Sequence, residues 1–246
     1  MTATLLQGCQ STQSLKPNPL ESSKLKTQIA AEYIRTGDLN LAKQSLDEAI
    51  AQDPSNSQAN MMMAVTYQID GGAINQKKAD SFYKRAISLD PKDPQIRNNY
   101  GQFLFTQGQY QEASEQFEIA GNTIEYFNRT FSLANLGQCY IKLNQFAKAE
   151  AAFTRALRLD KNTSSAIVGL ADLYYQQGKT NLAYDVYHDY LNLTDEKTAD
   201  ANGLIVGIRI LSKTGNRTEA QALAELLARK FPSSPEYSEY RSKYRF

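Results

Sequence analysis

An internal period of about 34 residues constrains this chain more than any other feature, because a repeat of that length must fold as a stack of like units. Its anchor is an alanine followed at four and seven residues by a larger apolar residue and a second small one. Ala79, Tyr83 and Ala86 form one such set, Ala113, Phe117 and Ala120 another, and Ala149, Phe153 and Ala156 a third. Offsets of four and seven lie on one face of an α-helix. Five residues before five of the six anchors stands a turn former: Gly37 before Ala42, Gly108 before Ala113, Asn144 before Ala149, Gly178 before Ala183 and Gly215 before Ala220. Residues of this kind end a preceding helix. The anchors Ala42, Ala79, Ala113, Ala149, Ala183 and Ala220 lie 37, 34, 36, 34 and 37 residues apart, which gives six units.

Within a unit the first helix has its own signature, a small residue three positions before a larger apolar one. Ala30 precedes Tyr33, Ala64 Tyr67, Gly101 Leu104, Gly137 Tyr140 and Ala171 Tyr174. Small residues there allow two helices a close approach. Asp53-Pro54, Asp90-Pro91 and Phe231-Pro232 supply helix stops, since proline cannot extend a helix. Gly71-Gly72 marks an extended turn in the second unit, and Gly121 to Asn128 a lengthened link between the third and fourth.

The pattern resembles the tetratricopeptide repeat over residues 23–234. The expected fold is all-α: a right-handed superhelical solenoid of six helix pairs with a concave inner wall. A helix pair of this size cannot bury its apolar face alone, so stacked neighbours share one core. Residues 235–246 carry Tyr237, Tyr240 and Tyr244 on one stripe, suited to a capping helix over the last pair.

Composition narrows the function. Lys plus Arg number 27 and Asp plus Glu 26, a net charge of +1, which gives no field for nucleic acid. No segment approaches the roughly 20 apolar residues of a membrane-spanning helix. His188 is the single histidine, so a His-rich metal site is excluded. Its place between Tyr187 and Asp189 on a helix surface does not make a catalytic base. Cys139 reads as a small core hydrophobe. There is no Cys-x-x-Cys pair and no phosphate-cradling glycine loop; the expectation is a binding protein and not an enzyme, without metal, cofactor or small-molecule substrate.

Residues 1–9 end in Leu6-Gln7-Gly8-Cys9, which resembles the lipobox of bacterial lipoproteins, in which the cysteine is lipidated and becomes the mature N-terminus. The basic and apolar segments of a signal peptide are missing before it, so the chain is expected to start within a longer leader. Residues 10–22 are polar with two prolines, as a flexible tether between a lipid anchor on Cys9 and a folded body would be. Any membrane contact is expected through that anchor alone.

One stretch is more particular: Asn98 to Leu104, Gly108 to Ala113, Phe117 to Ala120, then Tyr126, Arg129 and Asn135 to Cys139. With the lipobox, the repeat count and the long third-to-fourth link, this order resembles the type IV pilus pilotins, the PilF and PilW family. The resemblance implies a lipid-anchored protein on the periplasmic face of the bacterial outer membrane. Its implied work is to bind secretin subunits and promote their outer-membrane localisation and multimerisation. The alternative is a repeat lipoprotein that scaffolds murein enzymes or serves an outer-membrane assembly machine.

For the partner surface, the repeat register places Ala31, Ile34, Met61, Val65 and Ile69 as an apolar strip on the inner wall of units one and two. The equivalent positions further on are polar, among them Asn98, Gln102, Gln138, Lys142, Asp172, Gln176, Arg209 and Lys213. An apolar strip among polar neighbours marks a contact site; the competing reading is that these side chains thicken the core. No inward Lys and Asn set forms a carboxylate clamp.

Overall fold

A computed structural model describes residues 18–244. Among them lie thirteen α-helices and no strand: α1 (Pro19–Thr36), α2 (Leu39–Gln52), α3 (Ser57–Asp70), α4 (Ala73–Leu89), α5 (Pro94–Thr106), α6 (Tyr110–Asn122), α7 (Arg129–Lys142), α8 (Phe146–Leu159), α9 (Ser164–Gln176), α10 (Thr180–Leu193), α11 (Ala201–Thr214), α12 (Arg217–Lys230) and α13 (Pro235–Lys243). The first twelve form the six expected antiparallel pairs, and α13 is the cap. They belong to two compact units, one ending at Pro91 and one beginning at Lys92. Cys9 and the rest of residues 1–17 lie outside the described residues.

Local chemistry sets the boundaries. The side chains of Asn18, Asn56, Asp93, Asp200 and Ser234 each accept a backbone N–H of the helix that follows, which satisfies donors the helix start leaves free. The five turn residues all adopt left-handed backbone, with Asn144 at φ 57° the only non-glycine to do so among the described residues. Its side chain makes that region accessible where other L-residues resist it. Two expected boundaries shift. The tether assigned to residues 10–22 gives way to α1 at Pro19, because Asn18 accepts the Leu20 N–H at 3.1 Å and proline fits the first helical position. Gly121 belongs to α6 and not to the link, and its missing side chain admits Leu133, whose Cδ2 would lie 2.7 Å from an added Cβ.

In the first unit α1 packs on α3, and in the second α5, α7, α9 and α11 pack in succession, whereas the backbones of successive second helices stay apart within either unit among the described residues and are bridged only by side chains, as where Arg155 of α8 reaches Asn122 at the end of α6. First helices therefore make the inner wall, and second helices diverge behind it. The first unit is built on Ala30, Leu46, Ala49, Ala59 and Met63. In the second, rings press against glycines: a Cβ on Gly101 would meet Phe117 at 2.9 Å, and one on Gly137 or Gly169 would meet Phe153 at 2.6 or 2.4 Å. The cap rests Tyr237, Tyr240 and Tyr244 on a cluster that includes Leu204, Ile205, Ile208 and Leu227.

Candidate partner-binding surfaces

In the first unit a groove of about 580 Å³ opens between α1 and the start of α3. Lys24, Gln28 and Ala31 form one side, Gln58 and Met62 the other, and Ser55 of the intervening link closes one end. Its polar floor is tied together. The Thr27 hydroxyl donates to the Ser23 carbonyl at 2.8 Å, and the Ser23 hydroxyl to the Ala49 carbonyl at 2.8 Å. The Asn56 amide donates to both hydroxyl oxygens, at 2.9 and 3.2 Å, while its oxygen accepts the Ala59 N–H. Asn56 thus caps α3 and fixes α1 against it with one side chain. Such a floor holds its shape with its polar groups already satisfied.

The strip expected from sequence is only partly assembled. Ala31 lines the groove. Ile34 and Val65 are half-buried, and Ile69 is 54% exposed in the last turn of α3. Met61 is a correction: it is 4% exposed and belongs to the core. It lies three residues before Ala64, itself fully buried, and residues three apart share a helix face. The same register position is buried in every repeat, at Thr27, Asn98, Ala134, Val168 and Ile205. The methionine that lines the groove is its half-buried neighbour Met62. Asn98 is likewise buried, where its carbonyl accepts the Ser132 hydroxyl at 2.9 Å.

Two of the polar wall positions meet in the second unit. Arg209 on α11 donates to Asp172 on α9 at 2.9 Å, and its other nitrogens reach Glu239 of the cap at 3.0 and 2.6 Å. Burial raises the Glu239 carboxyl, but the hydrogen bond and charge of Arg209, joined by Lys243, outweigh it and hold that carboxyl below its usual range. The inner wall of the last repeats is therefore engaged by the chain's own C-terminal helix.

A further apolar surface escaped the sequence reading. The link from α6 to α7 presents Ile124 at 76% and Phe127 at 92% exposure, and the first turn of α7 adds Phe131 at 52%. Its base is fastened: Tyr126 is buried with its hydroxyl on Gln95 at 3.1 Å, Arg129 donates to the Gly121 carbonyl at 2.8 Å, and Arg155 bonds Asn122. The only sequence signal was the unusual length of this link.

His188 is exposed beside Asn192. Cys139 is fully buried, and burial pushes its thiol up to about 12, so it is an inert core residue. Among the described residues no three His, Cys, Asp or Glu side chains gather as metal ligands, and no helix is long and apolar enough to cross a membrane.

Tetratricopeptide-repeat family models match residues 23–56, 93–162 and 135–200. The chain is 29% identical over 250 residues to the type IV pilus assembly protein PilF of Pseudomonas aeruginosa, a match covering 99% of this chain and 96% of that protein. The solved structure of Pseudomonas aeruginosa PilF superposes with a TM-score of 0.75 over 91% of this chain and 98% of its own, at 29% identity. That of PilW, described as a widely conserved type IV pilus biogenesis factor, gives 0.74 over 89% and 98%, also at 29% identity.

Proposed function

We propose that this chain, a tetratricopeptide-repeat protein homologous along its length to PilF, acts in type IV pilus biogenesis as an adaptor that recruits a secretin subunit. The observation that carries the reading is the match of nearly the whole chain to nearly the whole of PilF, in both sequence and repeat architecture. A shared local repeat would give a partial match; an end-to-end one points to the same adaptor role. In this reading Cys9 carries the lipid that holds the protein at the periplasmic face of the outer membrane, and the secretin subunit is bound, delivered there and multimerised.

The inner wall of repeats one and two is the contact surface, with Ala31 and Met62 in the groove and Ile34, Val65 and Ile69 beside it. Its apolar side chains stand over a floor whose polar groups are already paired, so a partner side chain can displace water there without stranding a donor. Deleting the gene in a piliated host is expected to remove the multimeric secretin from the outer-membrane fraction, and wild-type protein to restore it. Cys9→Ser is expected to restore neither, while remaining folded by circular dichroism. Ala31→Asp and Ile69→Asp should weaken secretin capture by about thirtyfold, the loss typical of a central contact. Normal secretin multimers in the deletion strain would overturn the adaptor role, and normal capture by both aspartate variants would overturn the surface alone.

A further inference from the structure

The second unit holds a cavity of about 350 Å³ on the face away from its inner wall, between α10 and α12 where second helices diverge. The link beneath it is long. Thr194–Asp200 spans seven residues between α10 and α11, whereas Asp160–Thr163 spans four between α8 and α9. Lys230 fixes this link by donating to the carbonyls of Glu196, Lys197 and Ala199 at 2.6, 3.0 and 2.8 Å. The opening is thus a held feature and not a slack loop.

Its wall is apolar, made by Leu191, Leu223 and Leu226 with Tyr187 and Tyr190 behind them. Both phenol hydroxyls are occupied elsewhere: Tyr187 donates to the Gly203 carbonyl at 3.0 Å, and Tyr190 accepts the Asp200 N–H at 3.3 Å. What they offer the cavity is ring surface. Asp195, Glu196 and Glu225 line the rim with one base, Arg229, that pairs with Glu196 at 2.8 Å, and the Lys230 ammonium lies against the same link with its hydrogens given to backbone carbonyls. Asp195 is kept ionised by the backbone N–H and hydroxyl of Thr198 and the N–H of Lys197, which hold its carboxyl below the usual range. Asp195 and Glu225 therefore stand at the rim of an apolar slot as carboxylates outside the Arg229 ion pair.

We propose that this slot docks a protein segment in which one or two large apolar side chains are flanked by arginine or lysine. The volume is at the low end of ligand pockets and suits side chains better than a whole metabolite. An apolar anchor in a desolvated pocket, ringed by complementary charge, is the arrangement that gives an interface both affinity and choice of partner. The site is separate from the groove of the first unit, and its test does not depend on the secretin reading.

The probe is a fluorescein-labelled peptide with a central Leu-Phe pair and two arginines on each side; its control carries glutamates in place of the arginines. Binding is read by anisotropy with the full chain at physiological salt. The arginine peptide is expected to bind and the glutamate peptide not to. Ala222→Phe, at an exposed position lining the slot, fills it and is expected to weaken binding by about thirtyfold. Glu225→Lys, at an exposed rim position, is expected to weaken it by about fivefold and to leave the thermal midpoint unchanged. The proposal is overturned if neither peptide binds, if the glutamate peptide binds equally well, or if both variants bind like the parent. A concentration-dependent dimer abolished by Ala222→Phe would assign the slot to a second copy of the chain and overturn it as well.

Discussion

Repeats one and two and repeats three to six close the same helix pair with two kinds of joint. In the second unit a ring enters the space a glycine leaves, as Phe153 does between Gly137 and Gly169, and Tyr187 against Gly207, where an added Cβ would lie 2.1 Å from the phenol oxygen. In the first unit the corresponding small residues are Ala30 and Ala64, and the first pair is filled by Leu46. There the precise seat of α1 on α3 comes from Ser23, Thr27 and Asn56. The lesson is that a repeat can be fixed by shape or by hydrogen bonds. Where hydrogen bonds do it, a groove is left open on the inner wall; in the second unit the last stretch of that wall is taken by the cap.

The sharpest way to break this comparison is to add volume at a ring seat. Gly169→Val places methyls inside Phe153 and is expected to cost about 3 kcal/mol, whereas Ala64→Gly in the first unit should cost about 1 kcal/mol through helix propensity. Hydrogen-exchange protection of amides in each unit, followed in urea, distinguishes them; equal losses would remove the distinction between joints. A smaller effect is expected from Asn56→Ala, about 1–2 kcal/mol as a lost cap, with the exchange of α1 amides rising alongside those of α3. If only α3 loosens, Asn56 is a cap and not a joint.

The smallest effect is on the cap. Glu239 has a folded-state carboxyl held below its unfolded value of about 4.3. Its pairing with Arg209 therefore stabilises α13 fully above that pH and is lost as pH falls through the lower folded value. The half-buried pair is expected to contribute about 1 kcal/mol. Amide exchange in α13 should rise on acidification in the parent, while Glu239→Gln should be raised already at neutral pH and respond less to acid.

The helix pairs, their turns and the cap were legible because each is set by residues close in sequence. Asn144 could be aligned with four glycines by spacing alone, and it shares their backbone. The groove was legible only to the helix, not to the face. The strip from Ala31 to Ile69 follows a register that is right to within one residue, but one residue turns a helix by about 100°, enough to exchange buried Met61 for half-buried Met62 in the groove. Arg209 and Asp172 were both visible as wall positions 37 residues apart with opposite charge; that pairing was available from the period. Glu239 was not, since it depends on how the cap lies. The slot between α10 and α12 was hidden because its wall reads as ordinary core leucines and tyrosines, and only the spread of the second helices opens it.

That spread has a mechanical consequence. Within each unit the first helices meet along a continuous seam, and the second helices have no seam of their own among the described residues. A body joined along one edge and looser along the other behaves as a leaf spring: its curvature changes by opening gaps on the looser edge, where only side-chain bridges such as Arg155 on Asn122 must give, while the joined edge keeps its length. A ligand laid along the seam would meet a ruler of fixed spacing. A ligand entering the looser edge would act as a wedge, and its arrival would be registered as a change in the bend.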